Sequence, residues 1–185
     1  MYMLQLRGSL LNRPVMSLRT GGVVATTTTA IINPNNLKIE GFYCQDAFDR
    51  KKVLVLLAQD IRDILTDGFV VDDHDSLTEP AELIRLKDII SLLFELAGKP
   101  ILTSSKEKVG KVADYATDMD SLMIMKLYAE QSVFKNLTGG SLVIDRTQII
   151  EITDRKIVIQ DLMPGVPATA RAAAAPVPTA CVGRS

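Results

Sequence analysis

The chain repeats itself. Pro14 and Pro100 stand 86 positions apart, Tyr43 and Tyr128 stand 85 apart, and Ile61/Ile149, Ile64/Ile152, Val70/Val158 and Asp73/Asp161 are each separated by 88. Offsets that drift by one to three are what loop insertions leave behind, because a strand held in register tolerates no change of length. Leu37-Lys38-Ile39 with Phe42-Tyr43-Cys44 falls on Leu122-Met123-Ile124 with Leu127-Tyr128-Ala129, apolar on apolar and aromatic on aromatic. The expected organisation is therefore two homologous domains over 1–76 and 95–162, a connector over 77–94 and a tail over 163–185.

Each copy reads as six short strands. In the first they are expected over 15–18, 23–32, 37–45, 53–58, 61–65 and 69–72, and in the second over 100–103, 110–117, 122–130, 142–145, 149–153 and 156–160. Val23 to Ile32 is rich in β-branched Val, Thr and Ile, which suit a pleated surface. Leu37, Ile39 and Tyr43 share one face by period-two spacing, with Lys38 and Glu40 on the other. Thr20-Gly21-Gly22, Asn33-Pro34-Asn35-Asn36 and Asp67-Gly68 mark turns. Short strands with frequent turn signals predict a mainly β protein. A sheet this small protects its edges best by curling shut, so two small six-stranded barrels of mostly antiparallel neighbours are expected.

Between the copies the period changes. Thr78 can cap a helix, Pro80 fits its first turn, and Leu83, Leu86, Ile90 and Leu93 recur at helical spacing, widened by Ile84 and Ile89. One α-helix is predicted to join the barrels. Its apolar stripe is expected to pack on them, with a homodimer interface as the alternative. The last segment, with Pro164-Gly165-Val166-Pro167, the run Ala172 to Ala175, Pro176 and Pro178, has no apolar period that could offset the entropy of ordering, so a disordered Pro/Ala-rich tail is expected.

Charge narrows the partners. The formal net charge is −1, residues 1–76 hold eight Lys/Arg against nine Asp/Glu, and residues 95–161 hold nine against ten. Strong binding to a nucleic-acid backbone needs a surplus of cations that this chain lacks. Arg50-Lys51-Lys52 and Lys106-Glu107-Lys108 with Lys111 are the densest basic stretches, and both read as solvated turns. The longest apolar runs are too short to span a bilayer, residues 1–7 carry no secretory pattern, and Cys44 and Cys181 make no disulfide framework, so a reduced, cytoplasmic protein is expected.

No catalytic, cofactor or metal residue is assigned from sequence. His74 is the lone histidine, in Asp72-Asp73-His74-Asp75. Adjacent residues of an extended chain point to alternate sides, so this acidic stretch is expected to be a turn rather than a cation site. Cys44 aligns with Ala129 and reads as a small buried residue. Thr20-Gly21-Gly22 and Thr138-Gly139-Gly140 lack the Lys-Ser/Thr of a phosphate loop. Asp60, Asp63, Asp145 and Glu151 are single carboxylates that spacing does not pair.

The openings Asn12-Arg13-Pro14-Val15 and Gly98-Lys99-Pro100-Ile101, the segment Val109-Gly110-Lys111-Val112-Ala113-Asp114-Tyr115 and the turn Asp118-Met119-Asp120-Ser121 together resemble the PRC-barrel family. The first copy departs, with Val24-Ala25-Thr26 read opposite Gly110-Lys111-Val112. The resemblance implies a six-stranded barrel used for docking, as in the cytoplasmic part of the photosynthetic reaction-centre H subunit and in a ribosome-maturation factor that contacts a ribosomal protein. It places no functional residue here. The expected function is a non-catalytic cytoplasmic adaptor that binds a protein partner, with ribosome or RNA maturation and assembly of a photosynthetic or membrane complex as alternatives.

Overall fold

The computed structural model describes residues 3–131 and 141–161. The predicted tail, and Thr138-Gly139-Gly140, lie outside them. Among these residues, fourteen strands form one continuous sheet. They are β1 (Leu4–Leu6), β2 (Pro14–Ser17), β3 (Val23–Asn33), β4 (Lys38–Asp46), β5 (Val53–Leu57), β6 (Asp63–Leu65), β7 (Gly68–Val71), β8 (Leu77–Thr78), β9 (Pro100–Thr103), β10 (Lys108–Asp118), β11 (Met123–Gln131), β12 (Ser141–Asp145), β13 (Ile149–Ile152) and β14 (Ile157–Ile159), with one helix, α1 (Lys87–Ser91). The protein is mainly β, as its β-branched runs predicted.

The repeat extends to the hydrogen-bond register. β2 pairs β3, β3 pairs β4, β4 pairs β5 and β6 pairs β7, all antiparallel, while β7 returns to lie parallel with β2. β9 to β14 repeat every one of these pairings, including the parallel return of β14 onto β9. Even the irregularities recur. The shifts between Thr27/Thr29 and Ile31/Ile32 in β3 reappear between Val112/Asp114 and Ala116/Thr117 in β10.

This register corrects one alignment. Ala25 faces Val15 as Gly110 faces Ile101, so Ala25-Thr26-Thr27, and not Val24-Ala25-Thr26, is the counterpart of Gly110-Lys111-Val112. The extra residue of the first copy lies in the turn before β3. Ser17 N bonds Gly22 O across that turn, and Thr103 N bonds Glu107 O across the shorter one.

Ring closure, expected of each copy, is not found among the described residues. β5 leads into β6 through a 3-10 turn at Ala58–Asp60, and β12 leads into β13 through Arg146–Gln148, without either pair forming a ladder. The halves instead join edge to edge. Ile39 N donates to Leu122 O and Ile124 N to Leu37 O, both at 2.9 Å, with Lys38 opposite Met123 between them. Each residue in one bond has its counterpart 85 positions away in the other, so the junction is self-complementary in the manner of a two-fold dimer contact. Leu37, Ile39, Leu122 and Ile124 are all buried there, and one hydrophobic core runs through both halves.

The connector departs most from expectation. Thr78 does not cap a helix, because Leu77 and Thr78 are extended and pair Leu56 and Val55 as β8. Pro80 opens a 3-10 turn instead (Pro80–Glu82), Leu83 leaves helical geometry at φ −85° and ψ 74°, and only Lys87–Ser91 is α-helical. The apolar residues were real, but the long-range bond to β5 overrode their helical period. Asp67-Gly68 does form the predicted hairpin, yet Gly68 is required for a different reason: a Cβ there would lie 2.4 Å from Pro14 O on the neighbouring strand.

Candidate functional site

The connector runs between two cavities. One, of about 420 Å³, is lined by Thr28, Thr29, Ala30, Ile31 and Ile32 of β3 and by Ile89, Ile90, Leu93 and Phe94 of the connector, with Arg7, Tyr115 and Glu95 at its margins. The register shift between Thr27 and Thr29 breaks the alternation there, with Thr28 and Thr29 both exposed and the Thr28 hydroxyl donating to Tyr43 O, so the wall is made by β3 together with Tyr43 of the neighbouring β4. The second cavity, of about 620 Å³, is mixed in charge, with Lys38, Glu40, Glu82, Arg85 and Asp120 among its lining residues.

The predicted single stripe is thus divided. Leu83, Ile84 and Leu86 line the second cavity and Ile89, Ile90 and Leu93 the first. Leu93 has φ +44°, and Ile84 and Leu93 are 85% and 79% exposed. Phe94 is buried at the end of this segment, with the Lys99 ammonium 4.4 Å from its ring centroid.

The acidic stretch after β7 separates on folding. Asp72 pairs with Arg62 on β6's approach, Asp73 accepts from Ser17, Arg19 and the His74 amide, and His74 Nε2 lies 3.1 Å from Asp46 Oδ1 at the end of β4. Each of these three side chains has a different partner, because the chain turns at once into a 3-10 turn (His74–Ser76) that Asp73 caps. Burial opposes ionisation of Asp46, but the Phe48 amide and His74 outweigh it and hold its carboxyl below the usual range. Phe48 stands edge-on to the His74 ring at 5.2 Å. Nothing in the local sequence announced this corner, since 28 residues separate His74 from Asp46.

Asp73 and Asp161 do the same work in the two halves. Asp161 accepts from the Ser105 hydroxyl at 2.7 Å and the Ser105 amide at 3.0 Å, tying the end of the copy to the β9–β10 turn as Asp73 ties its own end to Ser17 and Arg19. Those Ser105 bonds lower the Asp161 carboxyl to about 2. The shared aspartate is a turn clamp.

The other candidates stay apart. Cys44 is fully buried, its thiol 3.6 Å from Phe42 O, and burial pushes that thiol up to about 12, far from a reactive thiolate. Burial also raises the Asp60 carboxyl, with Asp72 nearby adding to the shift and Arg62 opposing it. Asp145 caps the 3-10 turn at Thr147, Asp63 accepts from the Ile64 amide, and Glu151 is exposed. Lys52 of the first basic stretch pairs with Glu79 at 2.6 Å, while Arg50 and Lys51 are solvated. Lys106, Lys108 and Lys111 are likewise exposed. Among the described residues, no three histidine, cysteine or acidic side chains group as metal ligands. No helix among them is long and apolar enough to cross a membrane.

Compared with protein-family models and with curated proteins, the chain matches none.

Proposed function

We propose that this chain is a non-catalytic docking protein that holds a protein partner against its connector. The observation that carries the reading is the exposure of large apolar side chains there: Ile84, Leu92 and Leu93 all face solvent within ten residues, with Ile84 lining the second cavity and Leu93 the first. Isolated exposed leucines are ordinary, whereas an apolar cluster at a groove is how protein interfaces present themselves. The near-even charge of both halves favours a protein over a nucleic-acid partner. A cytoplasmic setting and a tandem of PRC-like barrels belong to the same proposal. The repeated strand order supports the tandem, and the unclosed ladders count against complete closure.

Photo-cross-linking tests it. A benzoylphenylalanine at Leu93 should give one discrete protein adduct in cells, and the same residue at Leu18, exposed on the far β2–β3 turn, should give none. The adduct protein, purified, should then rebind the full chain and lose that binding to Leu93→Asp. Equal labelling at both positions, or no adduct at Leu93, overturns the proposal. An adduct containing RNA, sedimenting with ribosomal particles across a salt series, would replace it with the ribosome-directed reading.

A further inference from the structure

The two halves differ at one edge. In the second, β1 lies on the outer margin of β10, with Leu4 opposite Asp118, Gln5 opposite Thr117 and Leu6 opposite Ala116, and Met119 N donates to Met3 O at 3.2 Å. Subtracting the offset of 85 places the equivalent margin of the first half at Ile31, Ile32 and Asn33. Among the described residues no strand pairs with that margin; β2 follows β3 only as far as Thr26, and two further bonds to Asn12 and Arg13 end at Thr27. The cavity lined by Thr28 to Ile32 overlaps that margin at Ile31 and Ile32.

From this we infer that the outer edge of β3 takes an extended segment of the protein partner by strand addition, in the position that β1 occupies on β10. The inference rests on the docking reading above and names its mode. Main-chain bonding to an open edge supplies affinity, and pockets for alternate side chains supply selectivity. The occupant's chemistry follows from the walls. β1 leaves Leu4 and Leu6 exposed on β10, with none of the described residues covering them. On β3 the connector stands over that margin with Ile89, Ile90 and Leu93, so a segment with apolar residues at i and i+2 would have them covered. Pro34 stands where Met119 offers its N–H, so the occupant gains one bond fewer at that end than β1 has.

The synthetic peptide Met-Leu-Gln-Leu-Arg-Gly-Ser, this chain's residues 3–9, is a suitable probe, since its backbone and i, i+2 leucines already fit the equivalent edge. Titrated into the isotope-labelled full chain, it should shift the amide resonances of Thr28 to Ile32 and of Ile89 and Ile90 saturably, and slow amide exchange along β3. Leu93→Asp, at a solvent-exposed position that leaves the remaining spectrum in place, should weaken binding about tenfold. Shifts confined to Ala116–Met119 would mean that the peptide only exchanges with β1, and would overturn the inference. So would the absence of saturable shifts, unchanged affinity in Leu93→Asp, or a concentration-dependent dimer of the free chain that buries β3, which would make a second copy the occupant. If the peptide fails while the Leu93 cross-link persists, strand addition falls and docking stands.

Discussion

Among the described residues, three equivalent backbone positions in each half adopt left-handed φ, and the halves fill two of them with different residues. Asn12 (φ 58°) corresponds to Gly98 (φ 80°), Gly21 (φ 70°) to Lys106 (φ 65°), and Leu37 (φ 54°) to Leu122 (φ 55°). Glycine and asparagine enter this region readily, but a lysine or leucine is strained there by roughly 1–2 kcal/mol. The conformation has persisted through changes of residue, so the pairing on either side dictates it. Gly21 N bonds Ser17 O, and its counterpart Lys106 N bonds Thr103 O across a turn one residue shorter. At Leu37 and Leu122 neither half uses glycine, because each side chain is buried at the junction between the halves. Burying a leucine there contributes about 2–3 kcal/mol, which outweighs the strain.

The largest expected effects test whether that junction is as symmetric in energy as in geometry. Ile39→Ala and Ile124→Ala each empty a fully buried site beside a reciprocal bond and should each cost about 3 kcal/mol in urea unfolding. Unequal losses would show that one half carries the contact. Next comes a position where the halves pack differently: a Cβ on Gly41 would meet Leu56 O at 2.5 Å, whereas its counterpart is Lys126. Gly41→Lys should destabilise by about 2–3 kcal/mol, and Lys126→Gly by about 1 kcal/mol or less. Equal costs would mean that β4 and β5 approach no closer than β11 and β12. The smallest effect is at the turns. Lys106→Gly should raise stability by about 0.5 kcal/mol through relief of strain, and Gly21→Lys should lower it by about 1 kcal/mol. A loss in Lys106→Gly would show that the lysine side chain stabilises its turn more than its φ strains it.

All twelve expected strands appear, and the second-copy strand Pro100–Thr103 has the predicted ends. They were legible because β-branched runs and turn residues act locally. The one-residue slip opposite Gly110 arose because an insertion in an unpatterned turn leaves no mark of its position until pairing is seen. β1 and β8 were missed for another reason: Leu4-Gln5-Leu6 and Leu77-Thr78 are too short to show a period, and only their partners β10 and β5 make them strands. The groove was legible only in its parts. Ile89, Ile90 and Leu93 stood out as apolar, but the β3 edge they border could not be seen as open without knowing where β1 goes.

Duplication, strand content and the equivalence of Asp73 with Asp161 were legible in the sequence, since each depends on local composition and on spacing between the copies; that both aspartates clamp turns came from bonds across 54 to 56 residues. Only the packing of distant segments made the halves meet through Leu37, Ile39, Leu122 and Ile124, kept the connector extended at Leu77-Thr78 before it turns helical, and laid β1 on β10 while no described strand pairs with the matching edge of β3. These are pairings between distant residues. A backbone edge bonds to whichever segment the rest of the fold delivers to it, so near-identical local patterns in two copies can end with different neighbours.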